Sequence, residues 1–567
     1  MAYLWRLARE LPDPPGPPVS VGFVEEFVHL FRGAAGRSGM YSNDDGTPLS
    51  VPSFLQYEGR QAALARSELL DRLAERMSEH LRKYPSGLDA GVVARRQANR
   101  KRVLTYFRAS AQDWNDWRWQ IRHVVREPDV LFDLVELDEA QRATLRKAYR
   151  NHIPFGVTPY YLSLMDPTPG DGADHAIRAQ VIPPAQYVDE MVARRFDDPS
   201  ALDFMGESDT SPVELVTRRY PMVAILKPFH TCAQICVYCQ RNWELRECLA
   251  PNALASRETL DSALAWFEQH PSVGDVLITG GDPVVLADES LEPILARVAA
   301  MPHVYRIRLG TRTPVVLPSR WTESLVDLLA SYQAPGRREV AVVTHFEHAY
   351  EVTPEAAAAV HRLARRGIRV YNQEVFTLEN SRRFETAKLR LAVRSIGVDP
   401  YHTFAMKGKA ETRQYMAPIA RILQERKEEA RLLPGLDRTD EPVFNVPRLG
   451  KKPPARVAGP PSGDDSAGRR PCLRVPSLGK EPRDRAPLLL RRCAPLGLPP
   501  RARRQRRGPA RLPQHLVLFV SPLHHRTSRG ADTADGLMHP RAPSRRDGRC
   551  RDHVPITTTT PPDMPGI

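Results

Sequence analysis

Cysteine and long apolar runs are scarce in this sequence of 567 residues. Its seven cysteines form a sparse and odd-numbered set, which argues against the disulfide framework of a secreted protein and favours a reducing compartment. No apolar run approaches the roughly 20 residues that span a bilayer, so a transmembrane protein is not expected. A secretory leader is not expected either, because Arg6, Arg9 and Glu10 interrupt the segment that would have to be apolar. These absences together predict a cytoplasmic globular protein.

Residues 1–451 also lack an excess of either charge, with 58 basic and 58 acidic side chains. The formal net charge of +14 comes from residues 452–567, which hold 23 Lys and Arg against 9 Asp and Glu, and 20 of the 53 prolines. No periodicity of a helix or strand is sustained there. One interpretation is a disordered basic tail that binds nucleic acid. We favour another, a GC-rich coding sequence translated out of frame, because lysine nearly disappears and the composition changes abruptly after Lys451.

The balanced part of the chain divides into segments by its patterns. Residues 1–109 are predicted to form a helical N-terminal extension, to which we assign no chemistry. It contains apolar periodicity from Val21 to Arg32 and a predicted amphipathic helix from Arg60 to Lys83. Three further segments follow: a helical lead-in at 110–210, a segment of alternating strands and helices at 211–430, and a segment at 431–451 that ends in Lys451.

Short apolar runs alternate with helical stretches in residues 211–430. Six runs are predicted strands, beginning at Val223, Asp275, Val304, Val340, Ile368 and Pro400. Helical periodicity follows them near residues 257–269, 289–300, 322–332, 354–365, 381–396 and 413–429. Six such units predict an α/β fold with a parallel sheet, either open or curled into a partial barrel. In that architecture ligands gather at the carboxyl ends of the strands.

Three cysteines at short spacing follow the first predicted strand. Cys232, Cys236 and Cys239 share one loop and can wrap one face of a soft metal centre. A structural zinc site requires a fourth ligand, for which Cys248 is the candidate. Three cysteines alone suit a [4Fe–4S] cluster with one open iron, an arrangement better fitted to catalysis than to structure.

The spacing CxxxCxxC after the first strand resembles the signature of the radical S-adenosylmethionine (SAM) superfamily. Longer stretches resemble the lysine 2,3-aminomutase family, and the resemblance covers about residues 110–451. It implies a radical SAM partial (βα)6 TIM-like barrel with the helical extension before it. The matching stretches are WNDWRWQIRH from Trp114, TPYYLSLMDP from Thr158, SPVELVTRRYP from Ser211, ITGGDP from Ile278, PHVYRIRLGTRTPVVLP from Pro302, THFEH from Thr344 and YNQEV from Tyr371.

The resemblance implies three cofactors: a [4Fe–4S] cluster, SAM and pyridoxal 5′-phosphate (PLP). Cys232, Cys236 and Cys239 would hold the cluster, whose open iron would bind SAM before its cleavage to a 5′-deoxyadenosyl radical. Arg312 is either structural or adjacent to SAM. Paired glycines after the second strand allow the backbone to approach a ligand closely. The residues expected near SAM are Tyr238, Thr279, Gly280, Gly281 and Asp282.

The resemblance places PLP on Lys451, in the segment PRLGK. This chain departs from the family pattern there, because it has fewer glycines and a spacing from the proline that is one residue shorter. Arg241, two residues past Cys239, matches the arginine that binds the substrate carboxylate. The residues expected near PLP and its phosphate are Arg219, Tyr220, Asn372 and Gln373.

Two positions bear on the expected substrate. The lysine 2,3-aminomutases use two aspartates to hold the distant ammonium group of lysine, whereas this chain has Lys407 and Asn445 at the matching positions. A cation there repels a lysine side chain and attracts a carboxylate, and the pair resembles the pattern of glutamate 2,3-aminomutases. We therefore expect a radical SAM, PLP-dependent aminomutase that moves the α-amino group of glutamate, or of another amino acid other than lysine, to the β-carbon.

Three other functions stay open from the sequence: lysine 2,3-aminomutase proper, a branch that modifies a protein-bound lysine, and an inactive protein that keeps the radical SAM fold. The expected partners are a small amino acid substrate and an electron donor such as flavodoxin or ferredoxin, and a homo-oligomer is open. Neither a membrane nor nucleic acid is expected as a partner.

Overall fold

A computed structural model of the protein describes residues 53–168, 172–195, 199–245, 247–250, 252–430 and 432–453, and the short segments 472–475 and 488–491. The chain divides into two compact units, 1–507 and 508–567, and all described residues belong to the first. The apolar segment from Val21 to Arg32 and most of the tail 452–567 lie outside the described residues.

An open sheet of mainly parallel strands forms the centre of the fold. The strands are β1 Val216–Arg218, β2 Val223–Phe229, β3 Asp275–Gly280, β4 Arg306–Gly310, β5 Glu339–Thr344, β6 Arg369–Phe376, β7 Val398–Ala405, β8 Glu441–Val446 and β9 Gly450–Lys452. They lie in sequence order, with β2 to β8 parallel and β1 and β9 antiparallel at the two edges. The two edges do not pair with each other in the described part of the chain, so the barrel is partial.

The six predicted strands are confirmed as β2 to β7, and one further parallel strand was not predicted. This strand, β8, pairs with β7 and extends the sheet. Its sequence offers Val443, Phe444 and Val446 as buried apolar residues, but Pro442 lies among them and the run is too short for a periodic signal. The predicted segment 431–451 therefore contributes residues 441–446 and 450–451 to the sheet.

Helices that precede the sheet pack against the barrel. They are α1 Gly59–Arg82, α2 Ala90–Tyr106, α3 Ala111–Asn115, α4 Trp117–Arg122, α5 Pro128–Leu134, α6 Glu139–Arg150, α7 Pro159–Leu162, α8 His175–Ala179 and α9 Ala185–Arg194. Helix α1 confirms the predicted amphipathic helix. Its buried Met77 lies in one apolar cluster with Phe384 and Leu433 of the barrel, so helix α1 is docked there.

The helices that follow the strands cover the outside of the sheet. They are α10 Arg257–Glu268, α11 Asp288–Ala300, α12 Thr313–Val316, α13 Glu323–Ser331, α14 Pro354–Arg365, α15 Glu385–Ser395 and α16 Ile419–Glu429. Side-chain oxygens of Ser256, Thr322 and Thr353 cap α10, α13 and α14 by accepting a backbone N–H three residues on. Apolar residues such as Leu264 and Phe267 form the main core with the strands. The six predicted helices are confirmed, α15 and α16 beginning later than predicted.

Outside the barrel, two short strands lie within the tail. Strand β10, Cys472–Val475, pairs antiparallel with β11, Leu488–Arg491. The origin of the tail, genuine or out of frame, stays a prediction. Over the described ranges, no helix is both long and apolar enough to cross a bilayer.

Candidate active site

The loop that follows β2 carries the three predicted cluster cysteines. It is tied to the helices that precede the sheet, because the Ile235 N–H donates to the Gly156 carbonyl at 3.0 Å and the Val237 N–H donates to the Gln180 carbonyl at 2.9 Å. All three cysteines are free thiols and partly buried. These two hydrogen bonds therefore hold the loop in place at the carboxyl end of β2.

The three thiols fit an iron–sulfur cluster better than a single metal ion. Burial raises the pKa of the Cys232 and Cys236 thiols, that of Cys236 to about 11, and the charge of the neighbouring Cys239 raises both. A cationic metal centre offsets this effect because it stabilises thiolates. No group of three His, Cys, Asp or Glu in the described ranges is arranged to hold one metal ion. The thiolates of a [4Fe–4S] cluster need not converge in this way, because each binds a different iron.

Cys248 does not complete a zinc site. Its Sγ–H donates to the Cys232 carbonyl oxygen at 3.2 Å, and the side chain is buried in an apolar cluster with Val124, Ile235 and Leu245. The structure therefore gives this cysteine a packing role beneath the loop. The alternative of a four-cysteine zinc site finds no support in this arrangement.

Two glycines bring the turn after β3 against the base of the cysteine loop. Gly280 has a φ of +118°, and a Cβ at Gly281 would lie 2.1 Å from the Thr231 carbonyl oxygen. The Gly281 N–H donates to the Phe229 carbonyl at 2.6 Å, and the Asp282 N–H donates to that of Thr231 at 2.8 Å. The close approach that these glycines permit is therefore between two backbones of the protein itself.

Two polar side chains of the same turn bind the neighbouring strand end. The Thr279 hydroxyl donates to the Gly310 carbonyl at 3.1 Å. The Asp282 carboxylate accepts from the Thr311 hydroxyl at 2.9 Å and from the Arg312 N–H at 2.8 Å. Burial raises the pKa of Asp282. Both side chains have structural partners at this position, next to the cysteine loop.

Arg312, which the sequence leaves as either structural or adjacent to SAM, lies against the cysteine loop. Its Nη1 donates to the Cys236 Sγ at 2.7 Å and its Nη2 donates to the Glu351 Oε1 at 2.7 Å. Tyr238, also predicted near SAM, donates its hydroxyl to the Gln180 Oε1 at 2.8 Å. Arg312 thus contacts the cysteine loop from outside, and Tyr238 joins the loop to Gln180.

Lys451 lies on β9, where an antiparallel ladder pairs it with Asn445 of β8. Its N–H donates to the Tyr220 hydroxyl at 2.6 Å. The Nζ lies 5.0 Å from the centre of the Phe404 ring and 5.7 Å from that of Tyr401. The predicted PLP lysine is therefore partly buried beside two aromatic rings, with predicted PLP neighbour Tyr220 in direct contact.

The amine of Lys451 has an unusual acidity. Burial, together with the positive charges of Arg308 and Lys407, lowers its pKa to about 7. A lysine with this pKa is neutral in a large fraction of molecules at neutral pH, which is the form that attacks a carbonyl carbon. The site therefore fits a lysine that holds an aldehyde cofactor.

Lys407 and Asn445 supply unpaired polar groups beside Lys451. The Lys407 Nζ lies 5.7 Å from the centre of the Phe404 ring, and burial and the charge of Lys409 lower its pKa to about 8. Lys409 is paired with Glu411 at 2.7 Å, whereas Lys407 has no ion pair with any described residue. The buried Nδ2 of Asn445 also has no hydrogen-bond partner among them.

A buried carboxylate that sequence reasoning missed organises the predicted arginines. Glu207 binds Arg219 at 3.2 Å, Arg241 at 3.2 Å and Lys227 at 3.3 Å, and Lys227 also binds Glu244 at 2.5 Å. These cations hold the pKa of Glu207 well below its usual range against the effect of burial. Glu207 lies four residues before the SPVELVTRRYP stretch, and no motif or spacing in the sequence marks it as a partner of these arginines.

Asn372 and Gln373 lie at a register shift in the pairing of β6 with β7. The Asn372 amide holds the loop after β5, because its Nδ2 donates to the Phe346 carbonyl at 3.0 Å and its Oδ1 accepts from the Phe346 N–H at 2.7 Å. Gln373 is buried beside it. Both residues lie in the middle of β6, not beyond its carboxyl end.

A partial barrel with three cysteines on the loop after its first parallel strand defines the radical SAM fold. No family model matches the sequence. The chain is 44% identical to an uncharacterised KamA family protein of Methanocaldococcus jannaschii, over 80% of this chain and 74% of that protein. This chain belongs to the KamA family. The prediction that it resembles the lysine 2,3-aminomutase family is confirmed.

Characterised relatives define the reaction class. The glutamate 2,3-aminomutase of Clostridioides difficile is 29% identical over 60% of this chain and 79% of that enzyme. The L-lysine 2,3-aminomutase of Clostridium subterminale is 36% identical over 47% of this chain and 60% of that enzyme. The chain is thus an enzyme of the radical SAM aminomutase class, an isomerase. The family implies a [4Fe–4S] cluster, SAM and PLP as cofactors.

Solved structures overlap with only part of the fold. Streptococcus suis SuiB bound to S-adenosylmethionine has 12% identity and a TM-score of 0.30, over 55% of this chain and 67% of that chain. A radical SAM methyltransferase from Sphaerobacter thermophilus has 14% identity and a TM-score of 0.30, over 41% and 71%.

Proposed function

We propose that this protein is an amino acid 2,3-aminomutase whose substrate carries a second carboxylate, with glutamate as the first candidate. The observation that carries the proposal is the Lys407 ammonium, which has no counter-ion among the described residues and approaches the same ring as Lys451. A partly buried cation without a partner is unfavourable, and an anionic substrate group would offset this effect. The name of the Clostridioides difficile relative agrees with this substrate.

The two ends of such a substrate have separate partners in the proposal. Arg241 would bind the α-carboxylate, because its guanidinium is held by Glu207 within a cluster of three cations and two carboxylates that keeps one positive charge in excess. Lys407 and the free Nδ2 of Asn445 would bind the side-chain carboxylate. A lysine substrate would instead bring a third ammonium group towards Lys407 and Lys451, which Coulomb repulsion disfavours.

We assign the cofactors to the residues that fit them. Cys232, Cys236 and Cys239 would ligate the [4Fe–4S] cluster. Lys451 would hold PLP, since its lowered pKa of about 7 provides a neutral amine. Arg219 and Tyr220 would lie at the phosphate, with Gln373 and Asn372 across the barrel. Residues near SAM would be Tyr238, Thr279, Gly280, Gly281 and Asp282.

When bound, these groups supply the radical that removes a hydrogen from the β-carbon and the electron sink that lets the amino group migrate. The protein positions the reacting atoms and excludes water. Lys451 would hold the aldehyde of PLP, because its lowered pKa provides the neutral amine that such an attachment needs. Arg241 and Lys407 fix both carboxylates, so that the β-carbon stays in one place during the shift. A low-potential electron donor and a cytoplasmic location belong to the same proposal.

The test compares two substrates with the full chain. Anaerobically reconstituted protein with SAM, PLP and dithionite should convert L-glutamate to its 3-amino isomer and leave L-lysine unchanged. In the Lys407→Gln variant, kcat/KM for glutamate should fall roughly 10- to 100-fold, because a hydrogen bond to a charged group contributes about 1.5–3 kcal/mol. Most of this loss should appear in KM.

The matched control is Lys427→Gln, which removes an exposed lysine of α16 and should leave turnover unchanged. Turnover of L-lysine alone, or equal kcat/KM for glutamate in wild type and Lys407→Gln, contradicts the proposed substrate. Conversion of neither amino acid by protein that carries its cluster and cleaves SAM would point to a different side chain.

A further inference from the structure

The buried guanidinium of Arg312 connects the cysteine loop to the loop that follows β5. Its Nη1 donates to the Cys236 Sγ at 2.7 Å. Its Nη2 donates to the Glu351 Oε1 at 2.7 Å, and its Nε donates to the His345 carbonyl at 3.2 Å. Every nitrogen of the group has an acceptor, which fixes the plane of the guanidinium relative to the sulfur.

The carboxylate that pairs with Arg312 is itself held in place. Glu351 is fully buried, and its Oε1 also accepts from the Tyr161 hydroxyl at 2.7 Å. Its Oε2 accepts from the N–H of Glu347 at 2.7 Å and of His348 at 3.3 Å. Because these donors come from α7 and from the loop after β5, the ion pair is anchored on two separate elements.

We propose that Arg312 is a positioning residue that raises the reduction potential of the [4Fe–4S] cluster through its hydrogen bond to Cys236. The inference rests on the proposed ligation by Cys232, Cys236 and Cys239 and adds the group that sets how easily the cluster accepts an electron. Hydrogen bonds to ligating sulfurs are among the groups that set such potentials. Arg312 does not itself ligate iron or bind substrate in this proposal.

The direction of the effect follows from charge. The reduced cluster carries one more negative charge than the oxidised cluster, so a cationic N–H donor at a thiolate stabilises the reduced form more. The electron comes from a low-potential donor of the flavodoxin or ferredoxin type, or from dithionite in vitro. The donor is oxidised by one electron and the cluster is reduced by one, while no bond of the protein forms or breaks.

The experiment measures the midpoint potential of the cluster in the full chain without SAM, PLP or substrate. Anaerobic redox titration followed by electron paramagnetic resonance compares wild type with Arg312→Met and Glu351→Gln. At a fixed ambient potential, the ratio of reduced to oxidised cluster should fall roughly tenfold in Arg312→Met, the size expected when a charge-assisted hydrogen bond is lost. Glu351→Gln should shift the ratio the other way, because it leaves the charge of Arg312 uncompensated.

The matched control is Arg320→Met. Arg320 is also fully buried, and its donors bind the Val284 carbonyl at 2.8 Å, the Leu286 carbonyl at 2.7 Å and Asp288 at 2.6 Å, with no contact to the cysteine loop. Its loss should lower the unfolding temperature and leave the midpoint potential unchanged. The comparison is between two buried arginines, of which only Arg312 contacts a proposed cluster ligand.

The outcomes separate the role of Arg312 from the proposed ligation of the cluster. A potential in Arg312→Met equal to that of wild type, or shifts of the same sign in Arg312→Met and Glu351→Gln, overturns the role of Arg312. Should Arg312→Met fail to fold, Arg312→Lys takes its place, because it keeps the charge and loses the forked guanidinium. The ratio of reduced to oxidised cluster should then fall by less than tenfold. A ratio equal to that of wild type overturns the inference. Wild-type protein that binds no iron or sulfide overturns the proposed cluster ligation as well.

Discussion

Lys451 and Lys407 approach the Phe404 ring at 5.0 Å and 5.7 Å from its centre. Burial acts on both amines, and the charge of Lys407 adds to the lowered pKa of Lys451. Each amine therefore favours the neutral form of the other. The pair links cofactor attachment to substrate choice, because Lys451 is proposed to hold PLP and Lys407 to bind the side-chain carboxylate of the substrate.

The pH dependence of PLP attachment tests this coupling. Only the neutral amine of Lys451 reacts with an aldehyde, so covalent attachment should increase as pH rises through about 7, well below the range of an ordinary lysine. In Lys407→Gln, loss of one positive charge should raise the pKa of Lys451 and move this midpoint to higher pH. Borohydride trapping at a series of pH values, followed by mass spectrometry of the peptide that contains Lys451, gives the midpoint.

An attachment midpoint in the range of a free lysine side chain would contradict the lowered pKa of Lys451. An unchanged midpoint in Lys407→Gln would instead show that burial and the charge of Arg308 set it without Lys407. Lys427→Gln serves again as the control with an exposed lysine removed.

At the scale of elements, the turn after β3 supports the cysteine loop from below. Backbone hydrogen bonds join Gly281 to Phe229 and Asp282 to Thr231, at the end of β2 and one residue before Cys232. The distance between the two turns is short enough that no side chain fits between them at Gly281. The position of the cysteine loop therefore depends on glycine at position 281, because any side chain there would collide with the loop.

The Gly281→Ala variant tests this support. The new Cβ would lie 2.1 Å from the Thr231 carbonyl oxygen, so one backbone must move, and we expect a loss of about 1–3 kcal/mol of unfolding free energy. Because Thr231 precedes Cys232, iron bound per chain after reconstitution should also fall. Denaturant unfolding and iron analysis measure the two effects.

Gly91→Ala in α2 is the matched control, since nothing lies within 4 Å of a Cβ there and alanine is favoured in a helix by up to about 1 kcal/mol over glycine. If Gly281→Ala has the same unfolding free energy and the same iron content as wild type, the turn does not support the cysteine loop.

At the scale of the whole described unit, helix α2 joins the N-terminal extension to the barrel. Asn99 of α2 is buried and its Nδ2 donates to the carbonyls of Met165 at 3.1 Å and Ser163 at 3.3 Å. Arg96, on the same helix, pairs with Glu355 of α14. Helix α2 thus contacts both the segment before the sheet and the barrel helices, which makes it part of one folded unit with them.

The Asn99→Ala variant should lower the stability of this unit as a whole. Two buried carbonyl groups lose a donor, and each unsatisfied group costs about 1–3 kcal/mol. We expect one cooperative transition at lower denaturant in circular dichroism, with no earlier proteolytic cleavage of residues 59–106 alone. Asn151→Ala is the control, because its amide donates to the Lys147 carbonyl at an exposed helix end. Early release of α1 and α2 would contradict docking as one unit.

The sequence by itself determined the local elements and the cysteine loop. Short apolar runs predicted six strands and period-3.6 patterns predicted their helices, because both signals lie in neighbouring residues of the sequence. The spacing of Cys232, Cys236 and Cys239 is likewise a property of one loop. Strand β8 was missed because Pro442 and a short apolar run hide its pattern, and only pairing with β7 defines it.

The tertiary structure alone decided which charged groups meet. Glu207 gathers Arg219, Arg241 and Lys227, and Arg312 binds Cys236 across 76 positions of the sequence. No local pattern encodes such pairs, because a buried charge is stabilised by whatever opposite charge the fold brings near it. The same physical reason separates Lys407, left without a counter-ion among the described residues, from Lys409, which pairs with Glu411. The family resemblance singled out Lys407 in the sequence, and the fold adds that Lys409 is paired with Glu411 while Lys407 has no such partner among the described residues.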